Sequence, residues 1–528
     1  MSALPRLRRA LHGIFDARVA LLALLATAAL HVVLRVGISP PSNPALKWDE
    51  AEQVLWSQHL AWGYGAQPPL YTWLQWVVNA LLGPGVLALS LFKHTLLAAC
   101  FVLLHAAARC VAAPPRNAWL AAAALMFMPP LTWYSVRDQT HTVLVTVLVI
   151  AAWLLLLRSL RRPHPWLFAA QGVVWGLALL AKYNAALALA AMLAAALSLP
   201  TLRRALLARG WPLAPLIAAL MLAPHLIWMA QHWTLASGTT LDRMAIGRHS
   251  TLRAVLDLGA GALAVLGLWA LVVLFSFGRA LWQRQLAKAN DDDEEGAPPA
   301  WLLPLVLRAL LLTALALLAM TLAGVSAFKG RWLLPLLAPA PLALLAARPA
   351  LAQHARGCRR YAACTLAMAA ALLILGGGRA HMSGVRGKLD SLNQPVAQLG
   401  TALSAAGYDG SAPIAATDPV LAAALRLHFG APAAACWPRE SQGSAFLARC
   451  AAAQLARARA AGQGLLLISR QQRLRPDWWP AMQAGTALPL WQQPHSVQLP
   501  ARRTRAAAPP VHFQFFWLPP QRRSAPTP

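Results

Sequence analysis

Negative charge is what this sequence has least of. Asp and Glu number 17 against 46 Lys and Arg, a formal net charge of +29, and all charged residues together make up 12% of the 528 residues. A soluble domain usually carries about 25% charged residues. With 58% hydrophobic residues and a mean hydropathy of +0.51, an ordinary soluble enzyme is excluded and an integral membrane protein is expected. Cysteine is also sparse. The six (Cys100, Cys110, Cys358, Cys364, Cys436 and Cys450) show no C-x-x-C spacing, which argues against zinc ribbons, iron–sulfur clusters and redox motifs. Only Cys436 and Cys450 lie in a polar stretch where a disulfide is plausible. The chain lacks a G-x-G-x-x-G after a strand and a P-loop, so no nucleotide-binding domain is expected. A charge of +29 would suggest nucleic acid in a soluble protein, but the hydrophobic blocks leave no folded basic domain for that role, and no nucleic-acid partner is expected.

What is present is a series of long apolar runs. A spanning helix needs roughly 20 mostly apolar residues. By that rule about eleven spans fall near 19–38, 86–108, 118–134, 139–157, 166–181, 184–200, 211–230, 254–277, 301–323, 332–347 and 361–377. The fifth and sixth are short enough to tilt or be partly re-entrant. Placing the amino terminus with Arg6, Arg8 and Arg9 in the cytoplasm gathers a large set of the membrane part's arginines into inside loops, among them Arg158, Arg161, Arg162, Arg203, Arg204, Arg209, Arg284, Arg348 and Arg356, with Lys288. Much of the net charge is then topology. The acidic run at 291–295 reads as a solvated cluster in one inside loop.

This reading predicts an all-α multi-pass membrane bundle over 1–380 and a smaller α/β domain over 381–528 on the outer, periplasmic face. In the second part, helix-like stretches (396–407, 418–429, 446–462) alternate with strand-like ones (412–417, 464–469, 512–518), and the basic tail after 519 is expected to be disordered.

The first outer loop, 39–85, is far longer than a connector needs to be, and long structured loops are usually functional. Two amphipathic stretches near 50–61 and 70–82 carry Trp48, Trp56, Trp62, Trp73 and Trp76, as expected of interfacial helices. At its start stand Asp49 and Glu50. Adjacent carboxylates on a helix point in different directions, so one can face a cavity while the other caps the helix or pairs with Lys47. The other outer turns are short and hold Arg137 with Asp138, Lys182 with Tyr183, and Lys329 with Arg331, ionisable residues that default to functional hypotheses at membrane depth. Carboxylates and cations on one side suit a reaction in which bases hold a phosphate while a carboxylate activates a hydroxyl. Plain alternatives stand beside each. Asp49 could cap a helix, Glu50 could be structural, Arg137 and Asp138 could be a pair at a helix end, Lys182 could snorkel, and Arg331 could anchor at the interface. His59, His94 and His141 read as satisfied helix histidines.

The run KWDEAEQVLWSQHLAWGYGAQPPLYTWL, with Asp49, Glu50, Gly63, Tyr64, Pro68, Pro69 and Leu70, resembles the first outer loop of the GT-C glycosyltransferases of the protein mannosyltransferase type. The similarity is to the bacterial branch that includes the aminoarabinose transferase of lipid A and the RgtA/B/C/D-like enzymes. WYSVRDQTHTVLV (Asp138), LLAKYNAAL (Lys182, Tyr183) and FKGRWLLPLL are similar to later segments of that family, in the family's order. Gln67 departs from the pattern, in which many relatives carry His before the double Pro. The resemblance implies an enzyme of the bacterial inner membrane that moves a sugar from a polyprenyl (undecaprenyl) phosphate carrier to a lipid, polysaccharide or protein acceptor on the periplasmic face. It implies Asp49 as base, Glu50 beside it, Asp138 as support, and Lys182, Tyr183, Lys329, Arg331, Tyr64 and Arg137 as substrate-binding residues. Some relatives hold a divalent cation near the acidic residues, and no ligand spacing here demands one. The rival is a transporter or lipid flippase, for which Arg308, inside the ninth apolar run, is the best-fitting charge.

Overall fold

The computed structural model describes residues 17–111, 115–207, 210–244, 246–247, 250–281, 298–387, 390–437, 443–471, 477–504 and 509–520. Arg6, Arg8 and Arg9, Arg209, Arg284, Lys288, the acidic run 291–295 and the tail 521–528 lie outside the described residues.

Among the described residues, six single helices are long and apolar enough to cross a membrane: Val86–Val111, His141–Arg161, Leu213–Gln231, Thr251–Phe277, Leu302–Leu322 and Ala355–Val385. Three bent pairs raise the number to nine if each is one span, against the eleven expected. The bends have one cause. Ala118–Phe127 and Pro130–Arg137 meet at 65° across Pro129 and Pro130, Ala185–Leu197 and Pro200–Leu206 at 111° before Pro200, and Gly330–Leu337 and Ala340–Ala347 at 43° at Pro339. Proline removes a backbone donor and clashes with the preceding turn, so apolar runs that look continuous fold as two pieces. Ala17–Ile38, 22 residues long, and Pro165–Ala181, of 17 residues, are further apolar helices.

The chain packs as two compact units, one of residues 1–31, 61–71 and 93–373 and the other of 32–60, 72–92 and 374–528. This differs from a single break at residue 380.

The first unit is helical. Helix Pro165–Ala181 packs on Leu213–Gln231 through Gly172 and Gly176, where an added Cβ would come within 2.5 Å of the Ala214 carbonyl oxygen and 2.9 Å of the Met221 sulfur. Small residues four apart let two helix backbones approach closely where no hydrophobic force drives them together. Leu220, Ile227, Leu263, Phe275 and Leu311 are exposed on the helices of this unit, as side chains facing lipid would be. Arg308 donates to the carbonyl and hydroxyl oxygens of Ser198, both at 2.8 Å, and so closes the carboxyl end of helix Ala185–Leu197.

The second unit is built on a five-stranded sheet, order β2-β1-β3-β5-β4, from β1 (Ile414–Ala416), β2 (Ala433–Ala435), β3 (Leu465–Arg470), β4 (His495–Leu499) and β5 (Val511–Leu518). β2, β1 and β3 run parallel, joined by helices, while β5 lies antiparallel to β3 and β4. Alternation sorts the side chains. Leu466, Ile468, Phe513 and Phe515 enter a core with helices Val396–Ala405 and Pro419–Phe429, whereas Leu465, Leu467 and Phe516 face helices Gly443–Ala460 and Trp478–Thr486. The expected α/β character is present, and the three strands legible in the sequence are β1, β3 and β5. The first core also takes Ala51, Val54 and Leu55 of helix Trp48–Trp56, which is why the 32–60 segment groups with this unit.

Cys436 and Cys450 form a disulfide with Cα atoms 5.7 Å apart. Replacing both by Ala is expected to lower the stability of this unit by about 3 kcal/mol, the entropic effect of opening a loop of this length. A fall in its thermal midpoint would be the readout, and an unchanged midpoint would contradict it.

Candidate active site

In the second unit, Asp49 is the second residue of helix Trp48–Trp56 and is half-buried. Glu50, one residue on, is 1% exposed and its Oε2 accepts from the Arg35 guanidinium at 3.0 Å and from the Lys47 backbone N–H at 3.1 Å. Arg35 also donates to the Ala45 carbonyl at 2.5 Å. The Glu50 carboxylate thus helps hold the helix start, one of the two roles open to it from sequence. Its removal leaves a buried guanidinium uncompensated. Glu50→Gln is therefore expected to destabilise the protein by about 3 kcal/mol or more, and an unaltered unfolding midpoint would refute the assignment.

The Lys47 ammonium reaches Asp390 rather than the neighbouring carboxylates. Arg379 Nε lies 2.9 Å from the other Asp390 oxygen. Burial alone would raise the Asp390 carboxyl, but the Arg379 and Lys47 charges outweigh it and hold it down at about 2. A depressed carboxyl contributes stability that is present above the ordinary carboxylate range and is lost as pH falls toward about 2.

In the first unit, the turn carrying Arg137 and Asp138 follows the bent helix pair. The Arg137 guanidinium lies 5.1 Å from the centre of the Trp133 ring. The Asp138 carbonyl accepts from Lys93 Nζ at 2.8 Å, and Lys93 is 1% exposed. Buried Gln139 sits at φ 41°, the left-handed region where a non-glycine residue is strained. Such strain clusters at functional sites.

The turn 182–184 joins helices Pro165–Ala181 and Ala185–Leu197. Lys182 donates to Thr142 Oγ1 at 2.7 Å, and Asn184 Nδ2 to the Trp332 carbonyl at 2.8 Å. The Tyr183 hydroxyl is 3.1 Å from His225 Nε2, and His225 Nδ1 is 2.7 Å from the Trp62 carbonyl. A carbonyl can only accept, so Nδ1 carries the hydrogen, and in the neutral ring Nε2 accepts from Tyr183. Burial pushes the Tyr183 phenol above its ordinary value, so it stays a donor. Trp228 stacks on His225, and an added Cβ at Gly63 would lie 2.2 Å from the Trp228 ring, which explains the glycine before Tyr64. Tyr64 accepts through its hydroxyl from the Ala61 N–H at 2.9 Å.

Lys182, Tyr183 and Asn184 line a cavity of ≈ 300 Å³ together with Gln67, Leu187, Met244, Met320, Phe328, Trp332 and other apolar side chains. Of the residues expected to bind substrate, only Lys182 and Tyr183 line it. Lys329 and Arg331 flank its wall through Phe328 and Trp332, Lys329 exposed and Arg331 half-buried, while Tyr64, Arg137 and Asp138 are not lining residues. Lys93 and His225 were missed from sequence, although an ionisable residue inside an apolar run is itself a signal. Among the described residues no three His, Cys, Asp or Glu side chains gather as metal ligands would.

Proline-bent helices with a small α/β unit form a GT-C glycosyltransferase fold. The crystal structure of ArnT from Cupriavidus metallidurans bound to undecaprenyl phosphate matches with a TM-score of 0.59, covering 94% of this chain and 98% of that one at 13% identity. Residues 66–228 match the family described as dolichyl-phosphate-mannose-protein mannosyltransferase. The lipopolysaccharide core galacturonosyltransferase RgtA of Rhizobium johnstonii is 31% identical over 419 residues, 77% of this chain and 80% of that protein. RgtB of the same organism, also named a lipopolysaccharide core galacturonosyltransferase, is 33% identical over 60% of this chain, which spans 64% of RgtB's length. The chain belongs to the RgtA-type GT-C glycosyltransferases, a family of multi-pass membrane enzymes, as its motifs implied.

Proposed function

We propose that this enzyme transfers a sugar from a polyprenyl phosphate, undecaprenyl phosphate in a bacterium, to lipopolysaccharide at the periplasmic face of the inner membrane. The observation that carries the donor class is the cavity, whose walls are mostly apolar side chains with the Lys182 cation among them, a combination suited to an isoprenoid chain ending in phosphate. The likeness to RgtA and RgtB, both core galacturonosyltransferases, makes galacturonate the first sugar to try and the lipopolysaccharide core the first acceptor. The Cys436–Cys450 disulfide supports a periplasmic place for the sheet unit, because disulfides persist in oxidising compartments.

In this reading the Asp49 carboxylate takes the proton of the acceptor hydroxyl. The acceptor oxygen bonds to the anomeric carbon as the bond from that carbon to the phosphate oxygen breaks, and the electron pair leaves with the carrier phosphate. Lys182 compensates the charge gained by that phosphate, Tyr183 donates a hydrogen bond, and Lys329, Arg331 and Arg137 add positive potential. Asp138 and Tyr64 serve as supporting residues. Arg308, the charge that best fitted a transporter, closes a helix end and leaves that rival no specific support.

The test is to reconstitute the wild-type protein in lipid with labelled undecaprenyl-phosphate sugars and lipopolysaccharide, and to follow release of free carrier phosphate. Release with labelled lipopolysaccharide is expected. Movement of intact donor across the bilayer without release would point to transport instead.

A further inference from the structure

We infer that Asp390 is a positioning residue for sugar transfer, acting through Lys47 on the helix start that carries Asp49. The carboxyl-terminal sheet would then be part of the catalytic machinery rather than an appendage for the acceptor. The inference rests on the reading of Asp49 as the base.

The geometry begins with Lys47. It is the residue before helix Trp48–Trp56, and its ammonium ends on Asp390, a residue 343 positions later whose side chain is 8% exposed. Asp390 cannot follow Lys47 if the helix start moves, because it is itself fixed. Its Oδ1 accepts from the Ser391 N–H at 2.5 Å, its N–H donates to Asn393 Oδ1 at 2.9 Å, and Arg379 holds its second oxygen. Asn393 in turn donates to the carbonyls of Ala380 and Arg502, tying this corner to the end of helix Ala355–Val385 and to the chain before β5.

The rest of helix Trp48–Trp56 is held in the same unit. The Trp48 ring meets Trp437 edge to face at 5.3 Å, next to the disulfide-bonded Cys436. The face of Ala51, Val54 and Leu55 enters the core that also holds Leu399 and Leu421. Beyond the helix, the Gln58 amide pairs with both backbone groups of Ala433, donating to its carbonyl at 2.8 Å and accepting from its N–H at 3.0 Å, and so caps the edge strand β2. Apolar packing fixes the helix against the sheet but resists sliding weakly. The charged contact at Lys47 is directional and sits two residues before Asp49, where it sets the rotation and depth of that carboxylate.

The decisive variant is Asp390→Asn. Asparagine keeps the shape and can still accept the Ser391 N–H, so the corner is expected to remain folded, while Lys47 loses its anion and faces Arg379 as a like charge. A displacement near 1 Å at a reacting group costs about 10²-fold. We expect kcat per folded molecule to fall by roughly 10- to 100-fold, with the donor KM unchanged and recovery in Asp390→Glu. Lys47→Met removes the same link while leaving Asp390 paired with Arg379, and should lower kcat in the same way. A normal kcat per folded molecule in both variants would overturn the inference, as would a change confined to KM. The two readings fail separately: an active Asp49→Asn protein removes the base assignment, whereas an inactive Asp49→Asn with fully active Asp390→Asn and Lys47→Met removes only the positioning role.

Discussion

Asp49→Asn is expected to reduce sugar transfer by about 10²- to 10⁴-fold, the usual contribution of a general base, while the protein remains folded. Asparagine matches aspartate in shape and is accepted in the first turn of a helix, and Glu50, Arg35 and Lys47 make buried contacts that hold the helix start in either protein. The loss should therefore appear in turnover with the unfolding midpoint unchanged. Donor binding should also be retained, since the donor cavity is lined by other residues. Full transfer by this variant would remove the base assignment, and loss of donor binding together with turnover would show that the substitution acts on more than the proton.

The second large effect is expected at Lys182. Its ammonium is the cation among the cavity's lining residues, and Thr142 orients it by a 2.7 Å hydrogen bond. A hydrogen bond to a charged group contributes about 1.5–3 kcal/mol. Lys182→Gln, which keeps a donor but removes the charge, should raise the KM for the lipid-phosphate donor by roughly 10- to 100-fold. It should also lower kcat, because the phosphate gains charge as the bond to sugar breaks. Steady-state kinetics over a donor series with wild type beside it would show this. An equal effect from Arg204→Glu, a change on helix Pro200–Leu206, would contradict a local phosphate site.

Much of the fold was legible because it is written in local pattern. The apolar runs correspond to helices, and the short strand-like stretches 412–417, 464–469 and 512–518 correspond to strands. The prolines at 129, 130, 200 and 339 were visible too, and reading them as breaks would have predicted the three bends. β2 is three alanines with no strand preference, and β4 is a polar edge strand, so each depends on neighbours rather than on its own residues. The site was legible in part. Lys182 and Tyr183 emerged as turn residues at membrane depth, whereas Lys93 and His225 were hidden inside long apolar helices. Asp390 had no local signal, because its meaning comes from Lys47, far away in the chain. The grouping of helix Trp48–Trp56 with the sheet has the same origin: an amphipathic helix shows that a face will be buried and says nothing about what will bury it.

The measurement that tests the account most directly counts two products in one vessel. Wild-type and Asp49→Asn protein in lipid are given an acceptor and a polyprenyl-phosphate sugar labelled in both sugar and phosphate, and acceptor-bound sugar is compared with free carrier phosphate. The account predicts one sugar transferred for each carrier phosphate released by the wild type, and almost none of either from the variant. Donor that crosses the bilayer intact, or equal release by the two proteins, would contradict it.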